Sequence, residues 1–355
     1  MSDVLAAAVT SNDAGQAGES ERPSAVPQSM RVTAVVLLVT AVSALFYYKW
    51  AAAFRAYGGV EHTGTLSVNP SLILQGGPWV TTLAYFTKIW PALVYGIVIG
   101  AVVRATVPPS WVARALGSRG LKGALLGGLA GAPLMLCSCC VTPIFTGLHE
   151  RGARLSSSLG VMLGAPGFNL AAIALSFALL PRKVAVGRAI CAVLIVLGLP
   201  VLIGHVDSAS PAKGYCGVES AEARTLGEIG QRFVRSLVYL TAVTLPLIVF
   251  GVVFGGLALP YVTHLNEVGV VLGVVLVALA ATLAALPTFF EIPIALILLQ
   301  LGAPAGAALA VVIAGPIVNL PSLFVLGRET SPRLAVGLAF GVWIIASLAG
   351  ITVSI

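Results

Sequence analysis

Charge is the scarce commodity in this sequence. Only 9% of its 355 residues are Asp, Glu, Lys or Arg, against roughly 25% in a soluble domain, and that shortage excludes an ordinary water-soluble fold. Catalytic signatures are missing as well. There is no phosphate-binding glycine loop, no His-Glu-x-x-His pair and no Ser-His-Asp constellation on a plausible scaffold, so nothing points to nucleotide, metalloprotease or serine-hydrolase chemistry. ATP-driven pumping would need a separate subunit. The cysteines number five, an odd count with Cys191 and Cys216 far from the rest, which excludes a disulfide-stapled secreted framework.

What is present is apolar. Hydrophobic residues make up 58% of the chain, the mean hydropathy is +1.00, and several stretches reach the roughly 20 residues that cross a hydrocarbon core as a helix. The 39 glycines and 21 prolines suit close-packed, broken membrane helices. The expected fold is therefore all-α, a polytopic membrane helical bundle, with membrane lipid as its surroundings. A net charge of +7 does not indicate nucleic acid, because the Lys and Arg residues are scattered among short loops, where topology explains them.

Residues 1–30 are rich in Ala, Ser, Gly and acidic residues, lack a signal-peptide run, and read as a disordered cytoplasmic tail. A first span follows at 31–49, with Arg31 and Lys49 as flanking anchors, and then a linker at 50–78. Further spans fall at roughly 79–103, 121–145, 157–180, 184–205, 233–257, 268–286, 304–326 and 335–354. That makes about nine. The segment 207–227 is polar and separates two halves, 79–206 and 228–355.

The halves repeat. A shift of 150 positions puts Pro143 on Pro293, Gly152-Ala153 on Gly302-Ala303, Pro166 on Pro316 and Asn169-Leu170 on Asn319-Leu320. Upstream the shift becomes 155, with Pro91, Gly96 and Gly100 on Pro246, Gly251 and Gly255. Internal repeats of this sort are typical of transporters, which bind solute near the midplane where broken helices meet. Pro166 and Pro316 mark such midspan breaks, because proline lacks an N–H and clashes with the preceding turn. Asn169 and Asn319 follow each break by three residues. Their amides either satisfy freed backbone groups and line a cavity or act as glue between helices.

The stretch "PLMLCSCCVTPIFTGL" from Pro133 to Leu148 holds Cys137, Ser138, Cys139 and Cys140. Its counterpart "LPTFFEIPIA" places Pro287 on Cys137 and Glu291 on Val141, so one half offers sulfur and the other a carboxylate, beside Pro143 and Pro293 as helix breaks. A helix puts Cys137 and Cys140 on one face; an extended segment puts Cys137 with Cys139. Either presents two soft donors suited to thiophilic metals and metalloids, although cysteine is also an ordinary apolar packing residue. Glu291 is an acid set within strongly apolar sequence, and acids at membrane depth are costly and normally functional. Proton coupling or charge balance is its expected role; pairing with a neighbouring chain's Arg at an interfacial helix end is the alternative.

The pattern P-x3-CSC-x3-P, continuing through Gly152-Ala153 to "APGFN", resembles the predicted-permease family that includes the methylarsenite efflux permeases. The resemblance covers about 83–340, and Cys140 departs from it, since a small residue is more usual after C-S-C. It implies a permease rather than an enzyme, exporting a small thiophilic solute such as a trivalent organoarsenical, with proton coupling, no cofactor, and residence as a multi-pass protein of the inner (plasma) membrane. Cys137, Ser138, Cys139 and Pro143 take the family's motif positions. A homo-oligomer is a possible assembly. The rival from another class is a membrane thiol–disulfide oxidoreductase using Cys137-x-x-Cys140, for which the sequence offers no second thiol pair to pass electrons onward. If the thiol segment crosses the membrane, positive-inside counting puts the N-terminus in the cytoplasm; if it is re-entrant, the repeats are inverted.

Overall fold

The computed structural model describes residues 28–63, 77–107, 109–206, 226–262, 269–284, 286, 291–300 and 302–355. Among these there is no strand. The expectations for residues 1–27, Cys216, Pro287 and most of the 207–227 loop lie outside the described residues.

Helix α1 runs Gln28–Thr63, well past the end of the expected span and into the expected linker. The first half continues with α2 (Gly77–Thr106), α3 (Pro109–Leu116), α4 (Gly120–Gly131), α5 (Ser138–Glu150), α6 (Leu155–Gly167), α7 (Leu170–Leu179), α8 (Arg182–Val193) and α9 (Leu199–Val206). A π-turn, Leu194–Gly198, joins α8 to α9; Pro200 cannot donate a backbone hydrogen bond, and the wider turn absorbs its ring. The second half is α10 (Leu226–Val262), α11 (Val270–Leu283), α12 (Glu291–Gln300), α13 (Ala305–Ile317), α14 (Leu320–Glu329) and α15 (Pro332–Ser354).

Helix boundaries recur at the 150-residue spacing. Helices α6, α7 and α8 begin at 155, 170 and 182, and α13, α14 and α15 at 305, 320 and 332. The turns ahead of α6 and α13 use Gly152 at φ +89° and Gly302 at φ +82°, a backbone region open to glycine without strain. Asn169 and Asn319 both cap the helix that follows the break.

Four single helical stretches among the described residues, Val35–Ala52, Leu155–Leu179, Arg182–Gly204 and Pro332–Ser354, are long and apolar enough to cross a membrane, and the pair Ala305–Ile317 and Leu320–Glu329, bent by 41°, makes a fifth. The expected spans 79–103 and 233–257 lie within single helices, α2 and α10, whereas another is assembled from shorter pieces. The segment expected as one helix over 121–145 is α4 and α5, about 18 and 20 Å long at 1.5 Å per residue, each short of the roughly 30 Å hydrocarbon core. Helix α12 was not anticipated as an element of its own.

Glycine sets the closeness of the packing. On α2, a Cβ at Gly96 would run into the Cys140 carbonyl oxygen, and one at Gly100 would lie 2.6 Å from that of Pro143. Gly128 of α4 and Gly164 of α6 meet in the same manner, a Cβ on Gly164 falling 2.6 Å from the Gly128 Cα. Small residues four apart let membrane helices approach backbone to backbone. The halves interlock: α2 packs on α10, α13 on α8, and α14 on α5.

Candidate functional site

The thiols stand at a helix break, and the break is not at Pro143. After α4 the chain makes a 3-10 turn, Ala132–Leu134, containing Pro133, and Met135 then takes the left-handed conformation at φ 49°. Cys137 is extended and caps α5, its carbonyl accepting the N–H groups of Cys140 and Val141 at 3.1 Å each. Pro143 sits inside α5, which continues to Glu150; it removes one hydrogen bond without ending the helix. Pro293 is likewise the third residue of α12, where its missing N–H is one of the helix's unbonded donors anyway. Pro166 and Pro316 are each the second-last residue of their helix, α6 and α13, with the Asn caps following.

This local geometry brings all three sulfurs together. Cys137 Sγ lies 3.1 Å from Cys139 Sγ and 3.2 Å from Cys140 Sγ, and the latter two are 3.9 Å apart. The alternatives of helix or extended strand are both realised, since Cys137 is extended and Cys139 and Cys140 are helical. All three are buried, no more than 2% exposed, and they are the one cluster of potential metal ligands among the described residues. Three convergent thiols can exchange with the hydroxyls of a soft electrophile or coordinate a thiophilic ion. Ser138 at the same turn is fully buried, and its Oγ has no hydrogen-bond partner.

Lys49 is buried, which corrects its reading as an interfacial anchor. It is 6% exposed, and its helix α1 packs against the 3-10 turn before the thiols.

Asn169 and Asn319 are fully buried. Each spends its Oδ1 on a cap, accepting from Ala172 N and Ser322 N at 3.1 Å, while Ser322 Oγ in return accepts the Asn319 N–H at 3.1 Å. Neither Nδ2 has a partner. One end of each amide thus satisfies freed backbone and the other end stays available.

Glu291 is the first residue of α12 and fully buried. Its partner is in this chain: Arg188 Nη2 donates to Glu291 Oε1 at 2.9 Å, and Arg188 Nη1 donates to Ser176 Oγ at 2.8 Å. Arg188 is 3% exposed. Sequence reasoning missed it by reading the Lys and Arg residues as loop charges. The signal was its place seven residues into an apolar helix, where a cation needs an acid. A second cluster escaped notice too. Arg104 at the end of α2 pairs with Glu150 at the end of α5, accepts a hydrogen bond from Arg151 on its carbonyl, and lays its guanidinium 4.3 Å above the Tyr239 ring of α10. An apolar groove of about 770 Å³ between α8 and α15, lined by Cys191 among others, contains none of the site residues.

Broken helices from two matching halves, with buried sulfur, amide and carboxylate groups at the breaks, define a membrane permease. The chain belongs to the ArsP_1 family, described as predicted permease, which matches residues 79–355. It is 29% identical over 331 residues to the UPF0718 protein YraQ of Escherichia coli K12, covering 90% of this chain and 94% of that one. A shorter likeness, 23% over 82 residues, links it to the UPF0718 protein MJ0584 of Methanocaldococcus jannaschii, across 23% of this chain and 22% of the relative. No solved structure matches.

Proposed function

We propose that this permease exports a small thiophilic solute, a trivalent organoarsenical or a related soft metalloid species, across the inner membrane, with protons driving the cycle. The convergence of Cys137, Cys139 and Cys140 within 3.9 Å at a buried helix break carries the reading. Buried packing alone gives no reason for three thiols to share one point, whereas a trivalent centre exchanges its hydroxyls for sulfur there. The two halves act as repeats of one unit, and the spare Nδ2 groups of Asn169 and Asn319 with Ser138 Oγ supply polar contacts at the breaks.

Glu291 is the proton site in this account. As a carboxylate it holds Arg188 and ties α12 to α8; as an acid it releases that guanidinium, so protonation loosens a link between halves. The test is protection: cells sensitised to methylarsonous acid and expressing the protein should survive it, and cells expressing Cys137→Ser/Cys139→Ser at equal level should not. Equal sensitivity with and without the wild-type protein contradicts the reading.

A further inference from the structure

We propose that the apolar groove between α8 and α15 binds one anionic phospholipid, with an acyl chain along the groove and the phosphate at Arg182 and Lys183. The site stands apart from the proposed function: no thiol of the cluster, neither asparagine and neither member of the Arg188–Glu291 pair lines it.

The groove encloses about 770 Å³, within the roughly 300–1,000 Å³ of small-molecule sites. Its α8 wall is a stripe over 182–194, along which Val186, Ile190 and Leu194 are exposed. Its α15 wall runs over 345–355, where Leu348 is 60% exposed. Leu309 of α13, fully buried, closes it from beneath.

Length and charge identify the occupant. The stretch Arg182–Gly204 is long and apolar enough to cross a membrane, so its first two residues stand at head-group level. From there the α8 wall extends about 18 Å at 1.5 Å per residue, close to the depth of one leaflet, which is half of a hydrocarbon core about 30 Å thick. Below the two cations the groove is apolar, and α8, α13 and α15 contain no acidic residue. Arg182 and Lys183 are exposed, and among the described residues neither is in an ion pair, although the carboxylate of Ile355 lies at the same end. Basic residues at the rim of a cleft between membrane helices attract anionic lipid heads. A second copy of the chain fits the groove less well. Related by a two-fold axis along the membrane normal, it would bring its own basic pair beside this one, like charges together.

The test uses purified full-length protein in detergent, incubated with phosphatidylglycerol or with phosphatidylcholine of the same acyl chains, and native mass spectrometry to count retained lipid. Wild type should favour phosphatidylglycerol by about thirtyfold, with two basic residues contributing about fivefold each. Arg182→Ala/Lys183→Ala should lose that preference, and Arg182→Gln/Lys183→Gln, with longer polar side chains, should lose it too. Arg114→Ala/Lys122→Ala removes two exposed cations elsewhere and should keep it. Leu348→Trp puts bulk into the groove and should lower retention of both lipids. Equal retention of the two lipids by wild type, or a preference that survives both double variants at Arg182 and Lys183, overturns the site. Equal loss in the Arg114→Ala/Lys122→Ala control also overturns it, because the attraction would then belong to the whole surface. A lipid-free dimer that Leu348→Trp splits into monomers makes the occupant a second copy and overturns the lipid assignment.

Discussion

Arg188 on α8 and Glu291 at the start of α12 form a fully buried ion pair at 2.9 Å that joins the two halves of the chain. The two positions are not related by the 150-residue shift, which puts Leu338 opposite Arg188 and Val141 opposite Glu291. Turns and caps recur 150 residues apart, whereas this pair has no counterpart at that spacing. Glu291 Oε2 has no hydrogen-bond partner among the described residues, so the carboxylate is held at one oxygen only.

Breaking the pair from one side leaves an uncompensated buried charge, at a cost of about 3–5 kcal/mol. Arg188→Met or Glu291→Ala should therefore lower the yield of folded, monodisperse protein. The double variant Arg188→Met/Glu291→Met should recover most of it, since neither charge is then stranded. Equal yields for all three variants would mean that the pair contributes nothing to folding.

Coupling is tested by a gentler change. Glu291→Gln keeps the size and a hydrogen bond to Arg188 but cannot exchange a proton; because it also leaves the Arg188 charge uncompensated, it is compared with wild type at equal amounts of folded protein. It should bind solute and lose the dependence of transport on the pH gradient. Gradient-driven transport at the wild-type rate would remove Glu291 from the coupling mechanism.

Thiol chemistry predicts a graded set. Cys137→Ser/Cys139→Ser should abolish protection with membrane insertion intact. Cys191→Ser and Cys216→Ser should behave as wild type, because Cys191 lies in α8 away from the cluster and Cys216 stands alone in the polar loop. Full protection by the double variant contradicts the binding site.

The asparagines separate structure from function by choice of substitute. Asn169→Ala and Asn319→Ala each remove a cap, which costs about 1 kcal/mol, as well as the spare Nδ2. Asn169→Ser and Asn319→Ser keep a capping oxygen and lose only the amide nitrogen, so they should hold stability near wild type yet depress transport strongly. Normal transport by both serine variants would show that the amides serve the helix ends alone.

Backbone contact at the thiols makes Gly96 a structural test of the site. Gly96→Val must push α2 away from the Cys140 carbonyl, so it should disturb the thiol turn and lower arsenical binding more than Val102→Leu on the same helix. Unchanged binding by Gly96→Val would contradict the close approach.

The matching turns and caps were legible because Gly and Asn suit left-handed turns and helix N-caps, the roles that Gly152, Gly302, Asn169 and Asn319 take. Proline was less informative about where a helix stops. Pro293 falls in a first turn, where no bond is lost, and Pro143 lies within α5, while the break upstream depends on Pro133 and the left-handed Met135, for which methionine is no signal. Three clustered thiols were visible in the sequence; their shared point was not, because it needs an extended residue followed at once by a helix. Arg188 and Lys49 were hidden for a related reason. A cation near the end of an apolar stretch reads as a loop charge or an anchor, and only tertiary packing reveals the acid or the burial around it.

Uptake into everted vesicles tests the central claim most directly. Vesicles carrying the wild-type protein and an inward-acid pH gradient should accumulate a trivalent arsenical, and accumulation should fall to the level of protein-free vesicles with Cys137→Ser/Cys139→Ser. Accumulation that is the same in wild-type, double-variant and protein-free vesicles would contradict a thiol-dependent export permease.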